Sequence, residues 1–130
     1  MVTRIALDTN AAIAILNNQP GIYTLLTKYD NICLPVTVCG ELIFGAKNSK
    51  LSVKNEKRYH EFMSSCELLD INFLVAEIYA SIRLNLKKKG NPIPENDIWI
   101  AATCLANDIP LCTFDKHFKS VKELVVLSGA

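Results

Sequence analysis

"ENDIWIAATCLANDIPLCTFD", Glu95 to Asp115, holds a helix and a strand in one short stretch. Its first half is apolar enough for a buried helix and opens with acids, which the helix dipole favours in a first turn. "IPLCTF" then runs apolar over a strand's length and ends at Asp115. Short, continuously apolar strands belong to parallel sheets buried on both faces, and a helix between strands supplies the crossover.

The same pattern extends outward in both directions. "TRIAL" (Thr3–Leu7), "NICLPV" (Asn31–Val36), "ELLDI" (Glu67–Ile71) and "ELVVLS" (Glu123–Ser128) read as the other strands. Helical segments lie between them. "AAIAIL" follows the first strand, and a second helix starts after Pro20 and Gly21 and runs to about Lys28. Thr37 offers an N-cap to the helix containing Glu41, and a charged helix covers about Val53 to Ser65. "FLVAEIYASIRLNLKKK" ends in lysines that suit the dipole and is closed by Gly90. The expected fold is α/β: one three-layer α/β/α domain over residues 1–130, with a short parallel sheet of about five strands.

Composition narrows the class. Of the 130 residues, 50% are hydrophobic and 21% are charged, so the chain is not disordered. No repeat, linker or low-complexity segment interrupts it. The N-terminus lacks a charged region followed by a long apolar one, and no apolar run reaches the roughly 20 residues of a membrane span. A cytoplasmic protein with no membrane partner is expected. Cys33, Cys39, Cys66, Cys104 and Cys112 form no Cys-x-x-Cys pair and read as small buried hydrophobes in a reducing compartment. His60 and His117 read as surface residues, and Trp99 as a packing residue. Net charge is only +1, but Lys47 to Arg58 holds five basic residues and one acid. Such a run is a solvated face unless the fold brings it near a site that handles phosphates.

The acids carry the chemistry. Ligands of open α/β sheets bind beyond the carboxyl ends of the strands. Asp8 follows the first strand directly and Asp115 the fourth, while Asp97 and Glu41 lie near the starts of helices that face the same edge. Singly, each has an ordinary reading as a cap, a turn residue or a solvated helix acid. Within "LDTN", Thr9 or Asn10 reads as the cap of the following helix. Jointly, the acids repel unless a cation sits among them, and Mg²⁺ or Mn²⁺ suits an all-oxygen set with no histidine nearby. Glu41 is set among apolar and small residues in "CGELIFG", so a carboxylate on a largely buried helix would need such a partner.

"LDTN", "ELIFGA", "ENDIWIAA" and "LCTFDKHF", in this order and spacing, resemble the PIN-domain family, and within it the VapC-type toxin ribonucleases of type II toxin–antitoxin systems. The resemblance runs the length of the chain. It implies that Asp8, Glu41, Asp97 and Asp115 match the acidic positions that hold Mg²⁺ or Mn²⁺, the last of which varies in the family. It implies that Thr113 supplies a hydroxyl beside the last acid and that Asn10 steadies the first. The implied activity is endonucleolytic cleavage of single-stranded RNA, in transfer or ribosomal RNA, leaving a 5′-phosphate and a 3′-hydroxyl. A homodimer and a cognate antitoxin are the implied assemblies, with Lys47, Lys50 and Lys54 holding the RNA backbone.

Two other readings compete. A PIN-like module that binds RNA or a partner without cutting is opposed by the intact set of acids. A phosphotransfer or signalling domain is the other. A receiver domain wants an acidic pair after the first strand and an acceptor Asp after the third, but "LDTN" has one acid and Asp70 reads as lying inside its strand. A dehalogenase-like phosphatase wants Asp-x-Asp, and position 10 is Asn.

Overall fold

A computed structural model describes residues 3–128. Its strands are β1 (Arg4–Leu7), β2 (Asn31–Pro35), β3 (Glu67–Leu69), β4 (Leu111–Thr113) and β5 (Val126–Ser128). Its helices are α1 (Thr9–Leu16), α2 (Ile22–Leu26), α3 (Val36–Lys47), α4 (Ser52–Ser64), α5 (Phe73–Lys88) and α6 (Glu95–Ala106), with a 3₁₀ turn at Lys116–Ser120. The strands form one five-stranded sheet in the order β3-β2-β1-β4-β5, with every pairing parallel. This is the expected α/β/α architecture. Ile5, Ala6 and Leu7 point alternately to the two faces of β1 and are all fully buried, so both faces are covered.

The strand order positions the site. From β1 the chain moves outward to β2 and β3, then returns to place β4 on the other side of β1. The direction of winding therefore changes between β1 and β4, where open α/β sheets leave a crevice at their carboxyl edge. The register is Ala6 beside Leu111 and Leu7 beside Cys112, so both strands run out at the same edge. Cys33, Cys39, Cys104 and Cys112 are buried and Cys66 is half-buried, all as free thiols.

Sequence explains how the helices end. The side chain of Asn72 accepts from the Val75 amide at 3.0 Å and starts α5. Gly90, at φ +67°, takes the left-handed turn that ends it. Along α6, Ile98 and every residue from Ile100 to Cys104 are buried, as an almost wholly apolar helix requires. Trp99 stacks on Tyr79 of α5 at 3.8 Å between ring centres, so it does serve packing. Among the described residues, no helix is long and apolar enough to cross a membrane.

Several local expectations change. Thr37 does not cap α3, which begins at Val36 directly after Pro35; the fixed φ of proline ends β2, and the helix starts with no side-chain cap. Asp8 itself, not Thr9 or Asn10, is the N-cap of α1. Glu41 lies in the middle of α3 and not in its first turn. Nor is α3 largely buried: Val38, Cys39, Leu42 and Ala46 face the core, while Val36 and Phe44 stand exposed. Strand β4 stops at Thr113, two residues before Asp115. Strand β3 stops at Leu69, so Asp70 follows the strand instead of lying within it. That does not revive the receiver reading, because β3 is the outer strand and β2 separates it from β1. Receiver-type sheets place the third strand beside the first.

Candidate active site

The site is built where β1 and β4 end. Asp8 leaves β1 into α1 and is only 4% exposed. Its two oxygens do different work. Oδ1 accepts from the Ala11 amide at 2.9 Å and closes the first turn of α1. Oδ2 accepts a short hydrogen bond from the hydroxyl of Thr113, the last residue of β4. Burial pushes the Asp8 carboxyl up from the ordinary range, these two hydrogen bonds pull it down, and the charges of Asp115 and Glu41 push it up further.

Thr113 joins the two strand ends. While its hydroxyl donates to Asp8, it accepts from the Asp115 amide at 2.9 Å. Asp115 in turn caps the 3₁₀ turn, accepting from the His117 amide at 2.9 Å through Oδ1. That turn folds His117 back toward the acids. Its Nδ1 lies 3.0 Å from Asp115 Oδ1 and 4.0 Å from Asp97 Oδ2. One potential ligand atom each from Asp97, Asp115 and His117 fall within 4.8 Å of one another.

Asp97 and Glu41 close the site from the helices. Asp97 sits in the first turn of α6 with its side chain 20% exposed. Its carboxyl is raised from 3.8 to about 6, chiefly by burial, then by the charges of Asp115, Glu41 and Asp8; His117 opposes the rise. Glu41 accepts from the Thr9 hydroxyl at 2.7 Å, which ties α3 to the start of α1. The acids expected from the sequence thus sense one another electrostatically at a single edge. Beside them, Thr9, Thr37, Gly40, Glu41, Phe44 and Asn96 line an open groove of about 520 Å³.

Other expectations need revision. Asn10 is exposed and its side chain does not bond Asp8; the Ala11 amide and Thr113 hold that carboxylate. His117 is exposed, as expected, but it stands against two of the acids, so the site is not free of histidine. A sequence signal for this existed in Asp-x-His, since a capping Asp bends the chain so that the second following residue returns to it. Thr9 was also missed, because its partner comes from another element. Lys47 pairs with Glu56 at 2.7 Å, whereas Lys50 and Lys54 are exposed and, among the described residues, pair with no acid.

The donor set favours a hard divalent cation. Asp8 and Asp97, raised by burial and then by the charges of the neighbouring acids, would be relieved by a positive ion, and oxygen ligands suit Mg²⁺ or Mn²⁺. The imidazole at the rim would be compatible with Mn²⁺ as well.

Known proteins of this kind match the chain. Residues 5–124 match the PIN domain family. A ribonuclease VapC2 of Rickettsia felis is 31% identical over 125 residues, covering 92% of this chain and 93% of that relative. A tRNA(fMet)-specific endonuclease VapC of Salmonella typhimurium is 32% identical over 99 residues, 73% of this chain and 74% of its own. Among solved structures, VapBC2 of Rickettsia felis bound to a promoter DNA fragment has a chain with a TM-score of 0.88 at 28% identity, covering 97% of this chain and 98% of that one.

Proposed function

The chain belongs to the PIN-domain family, and from that premise we propose that it is a divalent-metal-dependent endoribonuclease of VapC type. In this reading it is the toxin of a toxin–antitoxin pair and cuts single-stranded regions of RNA. The observation that carries it is the meeting of Asp8, Glu41, Asp97 and Asp115 at the edge where β1 and β4 end. These acids would hold Mg²⁺ or Mn²⁺, which supplies Lewis acidity and an activated water for phosphodiester hydrolysis.

The chain's own groups prepare the site. Thr113 and the Ala11 amide fix both oxygens of Asp8, so this carboxylate is oriented before anything binds. Thr9 does the same for one oxygen of Glu41. His117 offsets negative charge at Asp115 and Asp97 when protonated, at the exposed rim where RNA would enter. A cluster of acids repels a polyanion, so basic side chains must draw the backbone in; Lys50 and Lys54, unpaired among the described residues, can do so, Lys47 less because of Glu56.

Transfer RNA is the first substrate to try, on the strength of the Salmonella relative's name. A cognate antitoxin is supported by the VapBC complexes of similar chains, and a homodimer in the cytoplasm completes the reading. The test is to incubate the pure protein with tRNA in Mg²⁺ or Mn²⁺, beside Asp97→Asn and a chelator control. Cleavage by the wild type alone, abolished by chelation, is expected. An intact tRNA, or equal cutting by Asp97→Asn, would falsify the nuclease reading. The toxin role is tested separately: expression should arrest growth, and the product of a neighbouring gene should relieve it.

A further inference from the structure

The groove beside Glu41 contains side chains that the hydrolysis does not use. Phe44 is 69% exposed and, among the described residues, its ring stacks on no other. Thr37 and Asn96 line the same groove, and neither side chain makes a hydrogen bond within the described chain. Gly40 lies inside α3, where glycine is a poor helix former. A Cβ built at Gly40 meets nothing within 4 Å, so no contact among the described residues demands the glycine. What its missing side chain leaves open is the groove.

Charge decides what fits. Among the described residues, Glu41 is the only charged one lining the groove, so a phosphate is repelled there, while a neutral planar group is not. An RNA strand with its scissile phosphate at the acids must put a neighbouring base somewhere. Unstacked bases settle on open aromatic faces and are read along their polar edges. About 520 Å³ of open space is ample for one.

We propose that this groove is a nucleobase pocket, with Phe44 stacking on a base next to the scissile phosphate and Gly40 leaving it room. Thr37 and Asn96 supply hydrogen bonds to the base edge and so bias which base is accepted. The inference rests on the nuclease reading above, and it makes Phe44 a specificity residue for that reaction.

Two measurements test it. The first compares tRNA cleavage and sedimentation for the wild type, Phe44→Ala, Phe44→Leu, Phe44→Trp and Gly40→Val. Phe44→Ala should lower kcat/KM roughly 5- to 100-fold, mostly through KM, as loss of one base stack does. Trp should restore it and Leu should not. Gly40→Val should give the same loss with a melting temperature no lower than the wild type's, since its side chain enters open space and valine is the better helix former. The second places 2-aminopurine at successive positions of a single-stranded oligonucleotide bound to Asp97→Asn. One position should be quenched, and adding Phe44→Ala should release it.

Wild-type kcat/KM in Phe44→Ala, or rescue by Leu as full as by Trp, would overturn the proposal. So would a Phe44→Ala protein that sediments as a smaller species and loses activity only where it dissociates, which would assign the groove to a second copy of this chain. If the wild type cuts no RNA yet Phe44-dependent quenching persists, the nuclease reading falls and the base pocket stands. If cleavage proceeds and no position is quenched, the pocket alone falls.

Discussion

Asp8 shows how one carboxylate can be fully specified by its neighbours. One oxygen closes a helix and the other is held by Thr113, so neither rotation nor tautomeric choice is left to it. Asp97, like Asp8, carries charge that the fold opposes. Its carboxyl is held near 6 against 3.8, so between about pH 4 and pH 6 the metal-free native state keeps a proton that the unfolded chain has released. Its contribution to stability therefore falls as pH rises through that window, by no more than about 3 kcal/mol. Urea unfolding of the metal-free wild type and Asp97→Asn should show the variant gaining relative stability with pH over this range. Saturating Mg²⁺ should erase that trend for the wild type. A gap between the two proteins that is flat with pH would contradict the assignment.

Elements were legible in proportion to how much they decide for themselves. Helices α5 and α6 carry their own apolar patterns and stops, and they stand where the sequence predicts. Gly90 belongs to this class. At φ +67° it occupies a region that costs a side chain about 1 kcal/mol, so Gly90→Ala should lower thermal stability by roughly that amount without changing cleavage. A melting temperature equal to the wild type's would show that the turn can relax. Features set by neighbours were harder to read. Strand β3 is three residues long and paired only to β2, so its apolar run does not reveal where pairing stops. The exposed face of α3 looks apolar in sequence, and only the packing separates Val36 and Phe44 from Val38 and Leu42. Asp8, Asp97 and Asp115 can be singled out because each lies at or just past a strand end or in the first turn of a helix, whereas Glu41, in the middle of α3, stands out only against its apolar and small neighbours. Thr9 could not, because its partner comes from another element, and His117 is legible only through the local Asp-x-His turn, since its approach to Asp97 is fixed by the fold.

At the scale of the whole molecule, charge is divided between an acidic edge and basic segments, and net charge hides it. Lys50 and Lys54 are exposed and, among the described residues, without acid partners, whereas Lys47 is paired with Glu56. Replacing both free lysines with alanine should weaken RNA binding and flatten the slope of log affinity against log salt by about 1.4, at roughly 0.7 per phosphate contact to a single strand. Lys47→Ala should change the slope less. Binding titrations over a range of salt read both values, and an unchanged slope in the double variant would move the phosphate track elsewhere. The sheet order has a further consequence in time. Thr113 reaches Asp8 across 105 positions of the chain, and Asp97 joins from the same late region. A polypeptide still being synthesised has Asp8 and Glu41 long before the other wall of the crevice has left the ribosome. The crevice of acids therefore cannot be assembled until Asp97 and the end of β4 have left the ribosome.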